Sequence, residues 1–214
     1  YRFNRVHLYI YYYYTMDNLK TGDLILFDNG GCNPLSLLIK YFTGSQITHI
    51  AMILKDPDFI DPPLKGYYVW ESNYEGEPDP QDDKIKLGVQ ITPLDEICDK
   101  YQGNNSAIYT RHIGCSPELL STEHLKEIHD VVYDKKYDFY LRDLIGAIHR
   151  KDSHPQKTDR FWCSALVGYI YTHCGILNKE TDWSILRPSD FTPEYDTNLS
   201  FNKDSSLGPM IKRQ

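Results

Sequence analysis

The chain has 214 residues, of which 41% are hydrophobic and 25% are charged, and its formal net charge at neutral pH is -7. This balance is typical of a folded globular domain and excludes a chain that is mostly disordered. The negative charge argues against nucleic acid as a partner and against general attraction to anionic membranes. Because no apolar stretch reaches about 18 residues, no transmembrane segment is predicted.

Five cysteines are irregularly spaced, at positions 32, 98, 115, 163 and 174, and none belongs to a C-x-x-C pair. This odd number and spacing argue against a disulfide framework and against a cysteine-based zinc site. His124 and His129 are five residues apart, which does not put both on one helix face for a metal. We therefore expect no metal and no cofactor, and a reducing, intracellular setting is favoured over secretion.

The first fifteen residues are rich in tyrosine, with the sequence YRFNRVHLYIYYYYT. They lack the apolar core and small-residue cleavage site of a signal peptide. Val6, Leu8 and Ile10 alternate as they would in a strand, but the run also fits sequence that precedes a start at Met16. Both interpretations stay open, and segment 1–15 is assigned to no domain.

From residue 19 onward the elements follow in chain order. Short apolar or aromatic runs predict strands at 24–27, 47–54, 66–72, 85–91 and 106–111. Apolar stripes behind capping residues or proline predict helices at 33–43, 94–101, 116–133, 140–149 and 161–173. The acidic, proline-bearing segment 73–84 predicts a solvated loop, and the tail from Asp182 is expected to be mostly irregular. Strands with helices interspersed define an α+β class.

Cys163 lies in the sequence RFWCSALV, in the first turn of the predicted helix 161–173. Cysteine catalysis needs a thiolate, a nearby imidazole that takes and returns the proton, and a group that fixes the imidazole. Reactive cysteines often open a helix, because the dipole and free amides at its N-terminus favour the thiolate. The alternative is that Cys163 is a buried structural cysteine of an apolar helix.

His49 and Glu71 are candidates to complete such a site. If strands 47–54 and 66–72 form an antiparallel hairpin in which Leu54 pairs with Gly66, His49 lies opposite Glu71. A carboxylate there accepts a hydrogen bond from one imidazole nitrogen and leaves the other for a thiol. A register slip of one residue would put the two side chains on opposite faces and remove the argument.

These residues, taken in order, resemble the circularly permuted NlpC-like cysteine peptidases. The motifs are TGDLILF at 21–27, THIAM at 48–52, WE at 70–71, YD at 137–138, WCSALV at 162–167 and RPSDF at 187–191. The resemblance covers roughly residues 19–192 and rests on the order and spacing of short motifs. The group includes YiiX-type bacterial proteins, poxvirus relatives and, more distantly, lecithin-retinol acyltransferase. In it the histidine precedes the cysteine, whereas papain-like enzymes usually have the cysteine first.

The resemblance implies a papain-like core in permuted order, with an antiparallel sheet packed on helices. By matching positions, Cys163 is the expected nucleophile, His49 the general base and acid, and Glu71 the group that orients His49. The backbone amide of Cys163 is one expected oxyanion donor. Asp23 and the 137–138 pair also match, but we assign them structural roles, as a turn-forming carboxylate and a packing pair at a helix boundary.

The resulting assignment is one permuted papain-like catalytic domain at 16–200, followed by an irregular tail at 201–214. The expected activity is that of a cysteine peptidase or amidase, which cleaves a peptide, a peptidoglycan-type amide or an acyl ester through a thioester. Two alternatives remain on the same fold: a thiol acyltransferase acting on lipid, and a non-catalytic binding module. A structural protein that uses these residues for packing remains the third.

Overall fold

The computed structural model describes residues 18–28, 46–101, 106–138 and 158–213. Three predictions lie outside these residues: the strand pattern in 1–15, the helix at 33–43 and the helix at 140–149. Cys32 lies outside them as well.

The described residues form two β-sheets. Their strands are β1 (Leu24–Asp28), β2 (His49–Lys55), β3 (Tyr67–Asp79), β4 (Lys84–Pro93), β5 (Ala107–Arg111), β6 (Ile113–Gly114), β7 (Lys136–Tyr137), β8 (Arg160–Phe161), β9 (Ser206–Leu207) and β10 (Ile211–Arg213). The larger sheet has the order β10-β5-β1-β2-β3-β4-β7-β8, and β6 pairs with β9 in the smaller one. Within these sheets β7 and β8 are parallel, and the other neighbouring strands are antiparallel.

Three α-helices accompany the sheets in the described residues: α1 (Leu94–Lys100), α2 (Thr122–Val132) and α3 (Cys163–His173). Short 3-10 helices lie at Pro117–Leu120, Trp183–Ile185, Pro188–Phe191 and Pro193–Asn198. Over the part of the chain that the structure describes, no helix has the length and apolar character needed to cross a bilayer. The α+β class predicted from the sequence is confirmed.

The large sheet separates two groups of buried apolar side chains. One group joins Ile50 and Met52 of β2 to Leu166 of α3. The other joins Ala51 of β2 to Ile97 of α1. Because both faces of the central strands are covered, β1 and most of β2 are buried, and their sequences are continuous apolar runs.

Segment 73–84 was predicted to be a solvated loop, and this is wrong. β3 continues to Asp79 and β4 starts at Lys84, so most of the segment is the outer part of a long hairpin, with a register irregularity between Tyr74 and Pro78. Its acidic side chains are partly paired: Asp79 is buried and accepts a hydrogen bond from Lys86 Nζ at 2.9 Å. The acidic composition of the segment suggested a solvated loop. The structure differs because Lys86, on the opposite strand of the hairpin, pairs with Asp79 and removes its charge from water.

The predicted helix at 116–133 is divided. Residues Pro117–Leu120 form a 3-10 helix, and α2 starts at Thr122. The Ser121 hydroxyl accepts a hydrogen bond from the backbone N–H of His124 at 3.3 Å, and it therefore caps a new helix where the sequence pattern suggested continuation.

The tail at 201–214 was predicted to be irregular, and this is wrong for its described end. β10 extends the large sheet beside β5, and Arg213 Nε donates a hydrogen bond to Thr110 Oγ1 at 2.8 Å. The preceding β9 pairs with β6. Such short edge strands form because a partner strand supplies the hydrogen bonds, and local sequence gives little sign of them.

Candidate functional site

Cys163 is the first residue of α3, directly after the extended N-cap residue Trp162. The approach to the helix is held by the large sheet, because Ser72 Oγ of β3 donates a hydrogen bond to the Phe161 carbonyl at 2.6 Å. On the other side, the Ser164 hydroxyl donates to the Leu186 carbonyl at 2.8 Å. These contacts fix the Cys163 side chain at a helix N-terminus, where the sequence placed it and where reactive cysteines commonly lie.

His49 and Glu71 are hydrogen-bonded, with His49 Nε2 2.7 Å from Glu71 Oε2. Both residues are buried. They meet in a different register from the predicted one, because Leu54 pairs with Tyr68 and not with Gly66. Gly66 belongs to the loop that joins the two strands, because β3 starts at Tyr67. The Gly66 carbonyl accepts a hydrogen bond from Asp56 N at 2.8 Å, and the Gly66 N–H donates to Asp56 Oδ1 at 2.9 Å.

Continued along the hairpin, the observed register puts Ala51 opposite Glu71 and makes His49 a diagonal neighbour of Glu71. The prediction that His49 lies directly opposite Glu71 is therefore wrong by two residues. A shift of two keeps both side chains on the same face, since side chains alternate with a period of two. The long Glu71 side chain spans the diagonal, so the predicted contact forms in spite of the shifted register.

Cys163 also acts on the His49 ring, since it contributes to the raised pKa of the imidazole. Because Nε2 binds Glu71, Nδ1 is the ring nitrogen left for Cys163. Burial lowers the pKa of His49, but the hydrogen bonds and negative charges of Cys163 and Glu71 outweigh it and raise the pKa from 6.5 to about 10. His49 thus contacts Glu71 directly and senses Cys163, and its raised pKa keeps a proton on the ring at neutral pH.

Glu71 is held by two residues that the sequence did not single out. Thr92 Oγ1 on β4 donates to Glu71 Oε1 at 2.6 Å, and Asn73 Nδ2 lies 3.4 Å from Glu71 Oε2. Thr92 is found only when β3 and β4 are paired, because that register puts Val69 opposite Thr92 and Gln90 opposite Glu71. The two-residue spacing in the sequence puts Gln90 and Thr92 on the same face of β4. Which residues of β3 they meet can be stated only when the hairpin register is known.

A second set of polar contacts continues from Asn73 to the surface. Asn73 Nδ2 donates to Glu75 Oε1 at 2.6 Å, and Lys100 Nζ at the end of α1 contacts Glu75 Oε2 at 2.6 Å. Burial and the charge of Glu71 raise the pKa of Glu75, while Lys100 acts in the opposite direction.

One face of the His49 ring is covered by Phe27, whose ring stacks on it with the ring centroids 5.6 Å apart.

Tyr137 is a further residue near the nucleophile. The sequence assigned the 137–138 pair to a helix boundary, but Tyr137 lies in β7 and pairs with Phe161 of β8. The position of Tyr137 could not be predicted from local sequence, because β7 and β8 are only two residues long and pair in parallel. Burial raises the pKa of Tyr137, and Cys163 raises it further, so its phenol stays protonated.

Asp23 does not belong to the site. It precedes β1, at the opposite end of that strand from Phe27, which pairs with His49. Its buried carboxylate accepts from Lys20 N at 3.0 Å and Ile113 N at 2.9 Å, which agrees with the predicted turn-forming role. Its third contact is with His112 Nδ1 at 2.8 Å.

No protein-family model matches the chain, and no curated protein matches its sequence. Among solved structures, the chain is similar to the crystal structure of the metalloprotein YiiX from Escherichia coli O157:H7. The TM-score is 0.50 at 18% sequence identity, and the match covers 88% of this chain and 96% of the other. At this identity the likeness shows the fold alone, a YiiX-like α+β arrangement.

The description of YiiX as a metalloprotein prompts a test of the residues present here. Among the described residues, no group of three or more histidine, cysteine, aspartate or glutamate side chains is arranged to hold a metal ion. The donors nearest the nucleophile, His49 and Glu71, are bonded to each other. The described part of this chain therefore does not fit a bound metal.

Proposed function

We propose that the chain is a cysteine hydrolase of papain-like fold in circularly permuted order, and that it cleaves an amide or ester bond. The observation that carries the proposal is the buried pair of His49 and Glu71, 2.7 Å apart, together with Cys163 at the start of α3, which raises the pKa of His49. His49 supplies the proton-transfer group, and Glu71 fixes its orientation and stabilises its charged form. The YiiX-like fold and the position of Cys163 at the start of α3 support the same proposal.

In the first half of the proposed reaction, the Cys163 sulfur attacks the substrate carbonyl carbon and a carbon–sulfur bond forms. Negative charge develops on the carbonyl oxygen, and the backbone N–H of Cys163 is one donor that stabilises it. His49 then gives its proton to the leaving nitrogen or oxygen, and the carbon–nitrogen or carbon–oxygen bond breaks. The acyl group remains on Cys163 as a thioester.

In the second half, His49 accepts a proton from water as that water attacks the thioester carbonyl. The carbon–sulfur bond breaks, the acid leaves, and the sulfur and imidazole return to their starting state. If an alcohol or amine took the place of water, the same residues would perform acyl transfer. The identity of the acceptor is therefore an outcome of the test.

The test is covalent labelling with a thiol-reactive acyl probe, followed by mapping of the modified residue by mass spectrometry. We expect selective labelling of Cys163 that is lost in Cys163→Ser and strongly reduced in His49→Ala. Cys174→Ser is the matched control, since burial raises the pKa of Cys174 to about 12 and its thiol lies at the far end of the same helix. Equal labelling of several cysteines, or no labelling at Cys163, would support the binding module instead.

A further inference from the structure

A groove of about 600 Å³ lies along the first half of β4 and is closed on its other side by residues 134–137 and Arg160. Five of its lining residues are basic and one is acidic. The whole chain has the opposite balance, with 23 basic and 30 acidic residues. A concentration of positive charge in an acidic protein indicates a ligand of negative charge.

The basic residues of the groove differ in what they already contact. Lys86 forms ion pairs with Asp79 at 2.9 Å and Asp82 at 3.0 Å, so its charge is neutralised within the hairpin. Lys135 and Lys136, in contrast, have no carboxylate within ion-pair distance among the described residues. Lys84 and Arg160 also have carboxylate partners, Asp82 and Asp159, each at 3.2 Å. Lys135 and Lys136 are therefore the positive charges that the described structure leaves for a ligand.

The groove also has an apolar wall. Ile85 and Leu87 are 59% and 46% exposed, although they belong to a strand of the large sheet. They flank Lys86, which is buried and paired with Asp79. Exposed aliphatic side chains beside unpaired lysines suit a ligand that combines a short apolar portion with an anionic group.

The position of the groove connects it to the nucleophile. Tyr137 lines it and pairs with Phe161, which precedes Cys163 by two residues. Arg160, also in the lining, precedes Cys163 by three residues, and β7 and β8 pair through Lys136 with Arg160 and Tyr137 with Phe161. The basic groove and the approach to Cys163 are therefore built from the same two strands.

We propose that this groove binds the acyl part of the substrate and that the acyl group carries an anionic substituent, a carboxylate or a phosphate. Lys135 and Lys136 receive the charge, with Arg160 beside them, and the carbon chain lies along Ile85 and Leu87. The inference rests on the proposed function where it names the bound portion as the acyl group. Binding of the anion itself does not depend on catalysis.

The acyl preference can be measured with two esters that differ by one charge. Mono-4-nitrophenyl glutarate and 4-nitrophenyl pentanoate have acyl chains of equal length, with and without a terminal carboxylate, and both acylate a thiolate by releasing 4-nitrophenolate. We expect faster acylation of Cys163 by the glutarate ester, and a fall of roughly tenfold in the ratio of the two rates in Lys135→Gln/Lys136→Gln. Added salt should reduce the preference as well.

The matched control is Lys179→Gln/Lys203→Gln, which removes two exposed lysines that do not line the groove. This control should keep the wild-type ratio. If both esters acylate Cys163 and the ratio is the same in all three proteins, the anionic substrate is wrong while the hydrolase proposal stands.

Equilibrium binding separates the groove from the chemistry. Glutarate and, separately, inorganic phosphate are titrated into Cys163→Ala while backbone amide signals are followed by NMR. We expect the amides of residues 135, 136 and 160 to shift, and the shifts to be lost in the double lysine variant. Absence of shifts there would overturn the groove as a site. Shifts in a protein whose Cys163 neither ester acylates would retain the groove and contradict the hydrolase.

Discussion

His49 retains its proton at neutral pH in this arrangement, because Cys163 and Glu71 raise its pKa from 6.5 to about 10. The Cys163 side chain is the largest of the raising influences. We therefore expect the His49 ring signals to titrate near pH 10 in an NMR experiment, and at clearly lower pH in Cys163→Ala. Titration of His49 near pH 6.5 in the wild-type protein would show that the imidazole does not sense the thiol and carboxylate.

The raised pKa of His49 also determines how the free energy of unfolding depends on pH. A histidine whose pKa is raised by folding stabilises the native state fully below its unfolded pKa of 6.5, and this contribution is lost as pH rises through about 10. Between these limits, the free energy of unfolding should fall with pH more steeply in the wild-type protein than in Cys163→Ala. Turnover should fall over the same alkaline range, since deprotonated His49 cannot protonate the leaving group.

Glu71 orients His49 and stabilises its charge, and the two roles can be separated by substitution. Glu71→Gln keeps an oxygen that accepts from His49 Nε2 but removes the negative charge. We expect turnover to fall on the order of 10²-fold and the pKa of His49 to fall with it. Thr92→Val is the companion variant, because it removes a donor to Glu71 and keeps the charge. An unchanged His49 pKa in Glu71→Gln would remove Glu71 from the site.

At the residue scale, the sequence predicted the members of the candidate site but not their supports. Cys163 could be singled out because a helix start is readable from local pattern, and His49 with Glu71 because an assumed hairpin put both side chains on one face. Thr92 and Asn73 could not, since a threonine or asparagine in a strand has many ordinary roles. Asn73 reaches Glu71 along β3, and the contact of Thr92 with Glu71 depends on the register between β3 and β4.

The α3 helix carries Cys163, the proposed nucleophile, at its first residue and contributes buried side chains to the core along its length. Leu166, one turn after Cys163, is 0% exposed and packs in the larger apolar group. Leu166→Ala should lower the free energy of unfolding by about 2–5 kcal/mol in denaturant titrations, because it leaves a cavity. The exposed Val131→Ala on α2 should change it by less than about 0.5 kcal/mol.

This comparison also tests whether packing and chemistry are separate along the helix. Turnover per folded molecule of Leu166→Ala should stay close to that of the wild type. A large loss of turnover without loss of stability would mean that Leu166 positions the site directly.

Hairpins were the elements that the sequence predicted least well. Strands 47–54 and 66–72 were found, yet their register was wrong by two residues because Asp56 and Gly66 close the connecting loop. The acidic residues of 73–84 suggested exposure, although Asp79 is buried against Lys86. Cross-strand pairing decides both features, and it is a property of two segments together.

At the scale of the whole molecule, the α+β class was predictable because apolar runs and apolar stripes alternate along the chain. The site combines residues 49, 71 and 163, which lie far apart in sequence and meet where β2, β3 and the start of α3 converge. The sheet order could not be predicted, since β10 joins the large sheet from the end of the chain. The intracellular setting and the domain at 16–200 stay predictions.

A requirement for metal concerns the whole protein, and the similarity to the metalloprotein YiiX gives a reason to test it. The described residues of this chain offer no cluster of metal-binding side chains. We therefore predict that dialysis against a chelator leaves both the thermal midpoint and turnover unchanged. Loss of activity in chelator, restored by zinc, would contradict the mechanism proposed for Cys163.

The central claim is that Cys163 is a nucleophile and not a packing residue. Its most direct test is Cys163→Ser, with substrate turnover and melting temperature measured on the same preparation. We predict that turnover falls by about 10³-fold or more, because a hydroxyl is a far weaker nucleophile here than a thiolate, while the melting temperature changes little. A variant that melts well below the wild type, yet keeps wild-type turnover per folded molecule, would contradict the claim.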